Sequence, residues 1–470
     1  MFLDQIDASM ALRGEIEEIY TQRAQGRYGL ENISQLQHAL QSAMLAEACG
    51  EAPTLILAAL LHDVGHMIHK LGENPAGEGI DDRHEIIGAK WLAKRLPDAV
   101  SEPVRLHVEA KRYLCATDLT YFDRLAPDSI LSLKLQGGPM TAEEAAAFII
   151  KPFAADAVRL RMLDEEAKDP CLETPPVSYF LRHLDVVQIG AEEQALFRRD
   201  GMLVLRNFFA ASEVVKLDRL SRLMGAEAEA ILRNADWSGR SVAALARETP
   251  EELIAVPEAA DPTRLCRFEY LVGHNAEMRL LVATRIAPVI AAVMGEEFIL
   301  FKDKENEKHS GGGAFAAHQD FAAYRTFGPR YNVTAMISVD AVTRKNGCLE
   351  FAVNWADFSE RALEIAETVV DGRALLPYYK GGLRNGDIIE EIVEALDWQP
   401  IETSPSDLVL FDSFTPHRSA ANISAASRRA MFLTFNAARE GDWYERYYAD
   451  KRANFDDPKF HVSTPTAHAG

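Results

Sequence analysis

The dipeptide His62-Asp63 lies in a strongly apolar stretch, APTLILAALLHDVGHMIHKLG, that reads as a helix buried in a bundle. An unpaired carboxylate buried there would cost several kcal/mol, so a cation, most simply a metal ion, is its natural partner. Ligand-type residues recur on neighbouring helical segments: His38, His84, His107 and Asp164. Four imidazoles, one carboxylate able to bridge and a second carboxylate suit a pair of iron ions, which accept mixed nitrogen and oxygen ligands. A single helical histidine is usually structural, and His69 reads that way. A series H…HD…H…H…D over successive helices is much harder to assign to packing alone.

A second constellation follows far downstream. His318-Gln319-Asp320 is an HxD motif, and His417 comes about 99 residues after His318, just beyond an apolar run. Two histidines and a carboxylate on strand ends make the facial triad of non-haem Fe(II) oxygenases, which leaves coordination positions open. Arg428, eleven residues past His417, suits a bidentate grip on the far carboxylate of 2-oxoglutarate. Arg429 competes for that role, and the spacing favours Arg428. Lys302, Lys304, Asn306 and Lys308 could line an anion site, although such a run reads more readily as a solvated strand face.

The elements that must position these groups differ between the two halves. From residue 9 to about 168 the signals are helical. LQHALQSAMLAEACG repeats apolar residues every three or four positions and closes on Gly50, and DDRHEIIGAKWLAKRLP opens on aspartates and stops at Pro97. AKDPCLETPPVSYF is a polar, proline-bearing boundary, and the last helix of the first half continues through YFLRHLDVVQ. From about residue 196, short β-rich runs such as GMLVLRNF, YNVTAMISVDAV, SDLVLFDS and RAMFLTFNAA take over. The expected division is 1–188 and 189–470.

At 470 residues the chain is too long for one ordinary domain. Its 48% hydrophobic and 26% charged content reads as soluble and globular, with no run long enough to span a membrane. The N-terminus has no signal-peptide pattern, so a cytoplasmic location is expected. Five scattered cysteines without a CxxC pair argue against a disulfide framework or a zinc knuckle. A net charge of −21 argues against general nucleic-acid binding. The oligomeric state is not legible.

Residues 20–185 resemble the HD-domain superfamily, and more narrowly the mixed-valence di-iron oxygenases that cleave organophosphonates, relatives of myo-inositol oxygenase. The resemblance rests on Tyr28 and Glu31 ahead of His38, on LLHDVGH, DRHEIIGA, LHVEAKRYL and QGGPM, and on RMLDEEAKDP. It implies that His38, His62, Asp63, His84, His107 and Asp164 hold two irons, Fe(II) and Fe(III), with Asp63 bridging. Tyr28 would occupy an iron site until substrate enters, and Glu31 would recognise a substrate ammonium group. His66, Lys111, Ser129 and Arg161 would hold the phosphonate. Residues 196–445 resemble the phytanoyl-CoA dioxygenase family through FRRDGMLVLRNFF, FKDKENEK, VTRKNGCLEF and HRSAANIS. That resemblance implies one Fe(II) on His318, Asp320 and His417, and 2-oxoglutarate on Ser419 and Arg428. It departs at AVNWADFSE and in a charged insert near GGLRNGDIIEEIVEALDW, where substrate-contacting loops would lie.

The implied fold is an all-α HD-domain helical bundle followed by a double-stranded β-helix, or jelly roll, with flanking helices. The implied function is bifunctional. The C-terminal half would hydroxylate C1 of an aminoalkylphosphonate, 2-aminoethylphosphonate above all, with 2-oxoglutarate and O2. The N-terminal half would then cleave the C–P bond with O2, releasing glycine and inorganic phosphate. The alternatives are an HD-type metal phosphohydrolase fused to a hydroxylase of unrelated substrate, or one half serving as an inactive binding module.

Overall fold

The computed structural model describes residues 2–24, 26, 33–69, 80, 82–118, 120–258, 261–353 and 355–460. It divides into two compact units, Met1–Gln188 and Ile189–Gly470. Tyr28 and Glu31 lie outside the described residues.

The first unit is helical: α1 spans Phe2–Gln22, α2 Gln35–Ala48, α3 Pro53–Leu61, α4 Val64–Ile68, α5 His84–Leu92 and α6 Asp98–Thr117, and a later helix, α7, spans Ala154–Glu166. Ser34 caps α2 reciprocally: its hydroxyl accepts from Gln37 N at 3.1 Å while the Gln37 side chain accepts from Ser34 N at 2.9 Å. In α3 every residue from Leu55 to Leu61 is buried, the mark of a helix at the centre of a bundle.

The apolar stretch is not one helix as its composition suggested. α3 ends at Leu61 and α4 begins at Val64, so His62-Asp63 occupies the junction, with Asp63 at φ −98° and ψ 10°. Close backbone packing accounts for the geometry there: a Cβ on Gly65 would overlap the carbonyl of His84, and one on Gly88 would press on Gly65 N at 3.2 Å. The start of α5 is thereby held against α4, which brings His84 beside the dipeptide. Asp82 Oδ1 accepts from His84 N at 3.3 Å at the start of α5, and α5 ends at Leu92, short of Pro97.

The second unit is a jelly roll with helices around it. Its strands are β1 Met202–Leu205, β2 Ile254–Pro257, β3 Leu265–Glu269, β4 Phe298–Lys308, β5 Phe315–His318, β6 Asn332–Ser338, β7 Leu349–Ala352, β8 Thr368–Val370, β9 Arg373–Leu375, β10 Trp398–Ile401, β11 Leu408–Asp412, β12 His417–Ser419 and β13 Arg428–Ala437. The large sheet runs β1-β11-β6-β13-β4-β3-β2, the small one β10-β7-β12-β5, and β8-β9 form a separate ribbon. Val409, Phe411, Met336 and Phe432 of the large sheet share one core cluster with Leu349, Phe351 and Ile401 of the small one. Two sheets face each other across that core. Among the described residues no helix is long and apolar enough to cross a membrane.

Candidate metal and co-substrate centres

In the first unit the helices converge six side chains on one point. His38 comes from α2, His62 and Asp63 from the α3–α4 junction, His84 from the start of α5, His107 from α6 and Asp164 from α7. All six are buried. They form two groups: His38, His62 and Asp164 in one, and Asp63, His84 and His107 in the other. His38 Nε2 and His62 Nε2 lie 3.1 Å apart, as do His84 Nε2 and His107 Nε2. Asp63 divides its oxygens between the groups, with Oδ2 at 3.4 Å from His62 Nε2 and Oδ1 at 3.6 Å from His84 Nε2. Asp164 Oδ1 closes the first group at 3.3 Å from His38 Nε2.

The other ring nitrogens fix the protonation pattern. Nδ1 of His38, His62 and His107 meets the carbonyls of Ala167, Ala59 and Val104 at 2.9, 2.9 and 2.6 Å, and Nδ1 of His84 meets Asp82 Oδ1 at 2.9 Å. Only a protonated Nδ1 can donate to these acceptors, so every Nε2 of the neutral rings turns a lone pair inward. Lone pairs 3.1 Å apart repel unless a cation shares them. Two nitrogens at about 2.1 Å from one ion and separated so would subtend close to a right angle, as cis ligands of an octahedral ion do. The donor set therefore fits two metal ions bridged by Asp63.

The electrostatics call for positive charge at the cluster: burial opposes protonation of His62, but Asp63 and then Asp164 outweigh it and raise its pKa to about 9. Burial opposes ionisation of Asp63, but His62 and its neighbours outweigh that and hold its carboxyl well below the usual range. For His107, burial and then the imidazoles of His84 and His62 push the pKa well down, favouring the neutral ligand form.

Next to this centre lie the residues expected to bind an anion. His66 stacks on His84 with ring centroids 3.9 Å apart and meets Asp82 Oδ2 at 2.8 Å through Nδ1. Lys111 is buried and donates to Ser132 Oγ at 2.9 Å. Burial, then the charge of Arg161, lowers its pKa to about 7. Arg161 donates to Tyr121 Oη at 2.7 Å and Ser129 Oγ at 3.4 Å, and forms close ion pairs with Asp164 and Glu165. The structure thus gathers Arg161 and Ser129, with Lys111 close enough to feel the arginine. Sequence reasoning missed Asp82, which it read only as a helix cap; its spacing two residues before His84 was the available signal.

In the second unit His318 ends β5 and His417 begins β12, and the two are direct cross-strand partners. Their rings lie 4.3 Å apart. Asp320 Oδ1 sits 3.8 Å from His318 Nε2 and 4.0 Å from His417 Nε2. Here too Nδ1 is engaged by carbonyls, of Ala316 at 2.8 Å and Thr415 at 3.0 Å, which turns both Nε2 atoms inward. Burial, then His417, lowers the His318 pKa to about 4. Gln319 faces away and clamps the motif, donating to the carbonyls of Ala374 (2.9 Å) and Phe414 (2.5 Å) and accepting from Leu376 N at 2.7 Å. The arrangement fits one octahedral ion with an open face.

Arg428, at the start of β13, is buried and lines the same cavity as His318, Asp320, His417 and Ser419. Its Nη2 donates to Gly347 O at 2.8 Å, while its buried Nε has no hydrogen-bond partner. Arg429 is otherwise occupied, paired with Asp340 and Asp218 at 2.7 Å each. The lysine row corrects the expectation of a solvated face: Lys302 is only 9% exposed and Lys308 6%. Alternation along β4 turns all four residues of the row to one side, and three of them line the cavity. Lys308 donates to Ser419 Oγ at 2.9 Å and to Ala420 O.

Comparison with known proteins shows which families the two units resemble. An HD-domain model matches residues 36–144, and a phytanoyl-CoA dioxygenase (PhyH) model matches 197–430. A 2-aminoethylphosphonate dioxygenase of an uncultured bacterium is 39% identical over 41% of this chain and 66% of its own length, so the chain spans just under two thirds of that relative. A methylphosphonate hydroxylase of Gimesia maris is 38% identical over 44% of this chain and 77% of its own. A [1-hydroxy-2-(trimethylamino)ethyl]phosphonate dioxygenase (glycine-betaine-forming) of Leisingera caerulea is 42% identical over 37% of this chain and 91% of its own. The chain therefore carries an HD domain in its N-terminal unit and belongs, through its C-terminal unit, to the phytanoyl-CoA dioxygenase family.

Proposed function

We propose that the chain is a bifunctional phosphonate oxygenase, most simply of 2-aminoethylphosphonate, whose C-terminal unit hydroxylates C1 and whose N-terminal unit cleaves the C–P bond. The observation that carries the reading is the Asp63 carboxylate, whose two oxygens face separate imidazole pairs, in a chain that also holds the His318–Asp320–His417 triad beside Arg428. The names of the relatives support it in a complementary way. Two denote enzymes of an unhydroxylated phosphonate, one denotes a dioxygenase of a 1-hydroxyphosphonate, and none of these three covers more than 44% of this chain.

In the C-terminal unit, an Fe(II) and 2-oxoglutarate would supply the oxidising power for C–H hydroxylation, and in the N-terminal unit a mixed-valence iron pair would supply Lewis acidity and O2 activation. The residues do the rest. His318, Asp320 and His417 would hold the Fe(II) on one side, leaving the cavity side for reactants. Arg428, with Ser419 and Lys308, would anchor the far carboxylate of oxoglutarate by charge-assisted hydrogen bonds. The first reaction consumes one O2 and one oxoglutarate and yields the C1 alcohol, succinate and CO2. In the N-terminal unit His38, His62, Asp164, Asp63, His84 and His107 would hold the irons. Lys111, Arg161, Ser129 and His66 would bind the phosphonate oxygens, with Glu31 on the ammonium group and Tyr28 yielding its place to substrate. The second reaction consumes one O2 and converts the 1-hydroxy compound to glycine and phosphate, with every atom of substrate and O2 retained.

The test assays 2-aminoethylphosphonate and its 1-hydroxy derivative with Fe(II), oxoglutarate and ascorbate, with and without O2. His318→Ala is expected to lose turnover of the first compound by about 10³-fold or more and to keep cleavage of the second. His62→Ala is expected to form succinate and accumulate the hydroxylated compound without phosphate. Oxygen-independent phosphate release would replace this reading with a metal phosphohydrolase.

A further inference from the structure

Hydroxylation of a phosphonate requires a second anion site in the C-terminal cavity, apart from the oxoglutarate grip. β4 offers one. Lys302, Lys304 and Asn306 line the cavity, and in register across from them on β3 stand Arg267, opposite Asn306, and Glu269, opposite Lys304. Among the described residues the ammonium groups of Lys302 and Lys304 have no hydrogen-bond acceptor or ion-pair partner. Lys302 instead faces aromatic rings, with Nζ 4.8 Å from the centroid of Tyr324 and 5.7 Å from that of Tyr447. Lys304 Nζ lies 5.4 Å from that of Phe432. The amide oxygen of Asn306 is buried and unpartnered.

Burying two ammonium groups side by side without an anion is costly. Burial, and then Lys302 and Arg267, pulls the Lys304 pKa to about 8. The nearby carboxylates offset this only in part, and the pKa of each lysine stays lowered. Glu269 already pairs with Lys451 at 2.6 Å and Arg267 at 2.8 Å, and Asp320 belongs to the metal triad. One carboxylate shared between two cations leaves a surplus charge, and the two lysines add two more, which favours a multiply charged anion with several oxygens over a singly charged one. The far carboxylate of oxoglutarate does not neutralise this end of the row, because Lys308, its proposed contact, lies about 13 Å along the strand from Lys304.

We infer that Lys302 and Lys304, with Asn306 and Arg267, form the subsite that receives the phosphonate group of the hydroxylase substrate. The inference rests on the reading of this unit as a phosphonate hydroxylase. It explains why the Glu269–Lys451 pair is present: the pair holds Arg267 in place and withdraws Glu269 from competition with the substrate for the lysines.

The full chain tests it through succinate formation with 2-aminoethylphosphonate. Lys302→Met and Lys304→Met should each raise KM for the phosphonate roughly 10- to 100-fold, the loss expected for a charged hydrogen bond, and leave KM for oxoglutarate within about twofold. Lys304→Arg should retain most of the affinity. The sulfonate analogue of the substrate, a monoanion, should compete far more weakly with the wild type than the phosphonate binds, and lose that preference in Lys304→Met. If both methionine variants keep the wild-type phosphonate KM while the wild type turns over, the subsite is wrong and the hydroxylase reading stands. If the wild type forms no phosphonate-dependent succinate, the hydroxylase reading itself fails. Should Lys302→Met melt without a cooperative transition, the half-buried Lys304 decides the matter alone.

Discussion

Lys308 shows how one buried side chain sets a measurable property. Burial, then the adjacent Arg428, pushes its ammonium from the ordinary 10.5 down to about 7. A bound oxoglutarate carboxylate favours the charged form, so binding must take up a proton wherever the free lysine has lost it. The sign follows: affinity is flat below about 7, and weakens as pH rises from there toward 10.5, by up to tenfold per unit. The folded protein gains stability over the same window, because the unfolded chain keeps the proton longer. Calorimetric titration of oxoglutarate into anaerobic, Mn(II)-loaded protein, in buffers of different ionisation enthalpy, reads both the proton uptake and the slope. Lys308→Met should bind more weakly and lose the slope, and a wild-type affinity that stays constant across the window would sink the assignment. The histidines that cluster in each unit were nominated from the sequence by residue type and recurrence, and the fold brings them together. The burial of Lys308, the second role of Asp82 and the pairing of Arg161 were not legible there. Polar residues at every second position, three of them lysines, read the same on a solvated strand as on a buried one, and an aspartate before a helix reads as a cap until the fold brings His66 beside it.

At the scale of elements, the junction between α3 and α4 and its contact with α5 position half of the N-terminal centre. Gly65 has no conformational need to be glycine on the grounds of φ; it is required by proximity, since any Cβ there overlaps the backbone of His84. Gly65→Ala must displace the start of α5, and with it His84 and the Asp82 contact. Overpacking of this kind costs about 1–3 kcal/mol, which the unit can absorb without unfolding. The expected result is a folded protein that has lost iron from the N-terminal unit yet keeps oxoglutarate-dependent iron binding in the C-terminal one. Iron per chain measured by elemental analysis, with the melting curve beside it, checks this, and a variant with its full iron content and intact C–P cleavage would refute the packing argument. Periodicity identified α2, the β-rich runs and the change of texture near residue 196. It could not see that an unbroken apolar run would split at His62, because the split is imposed by a helix twenty residues away. Nor could it see that β5 and β12 pair with His318 directly opposite His417 across a long insertion.

At the scale of the whole molecule, the question is whether two centres in one chain need each other for anything besides supply of the intermediate. The units have separate cores, the first around Leu55–Leu61 and Val64, the second between the two sheets. Among the described residues, each cluster of candidate ligands lies wholly within its own unit. On the proposed function, covalent linkage would raise the local concentration of the hydroxylated intermediate at the second centre without altering either site. An intermediate that travels through solvent can equally reach the second centre of another molecule. A mixture of His62→Ala, which hydroxylates, and His318→Ala, which cleaves, is therefore expected to release phosphate from 2-aminoethylphosphonate although neither variant does so alone. Phosphate should follow succinate with a lag that shortens as the His318→Ala concentration rises, because the intermediate must first build up in bulk solution. Stopped samples assayed for succinate, hydroxylated compound and phosphate give all three time courses. Phosphate release with no lag at any concentration would mean that the substituted centres are not independent, and no release while each variant performs its own half-reaction would mean that the intermediate never leaves the molecule that made it.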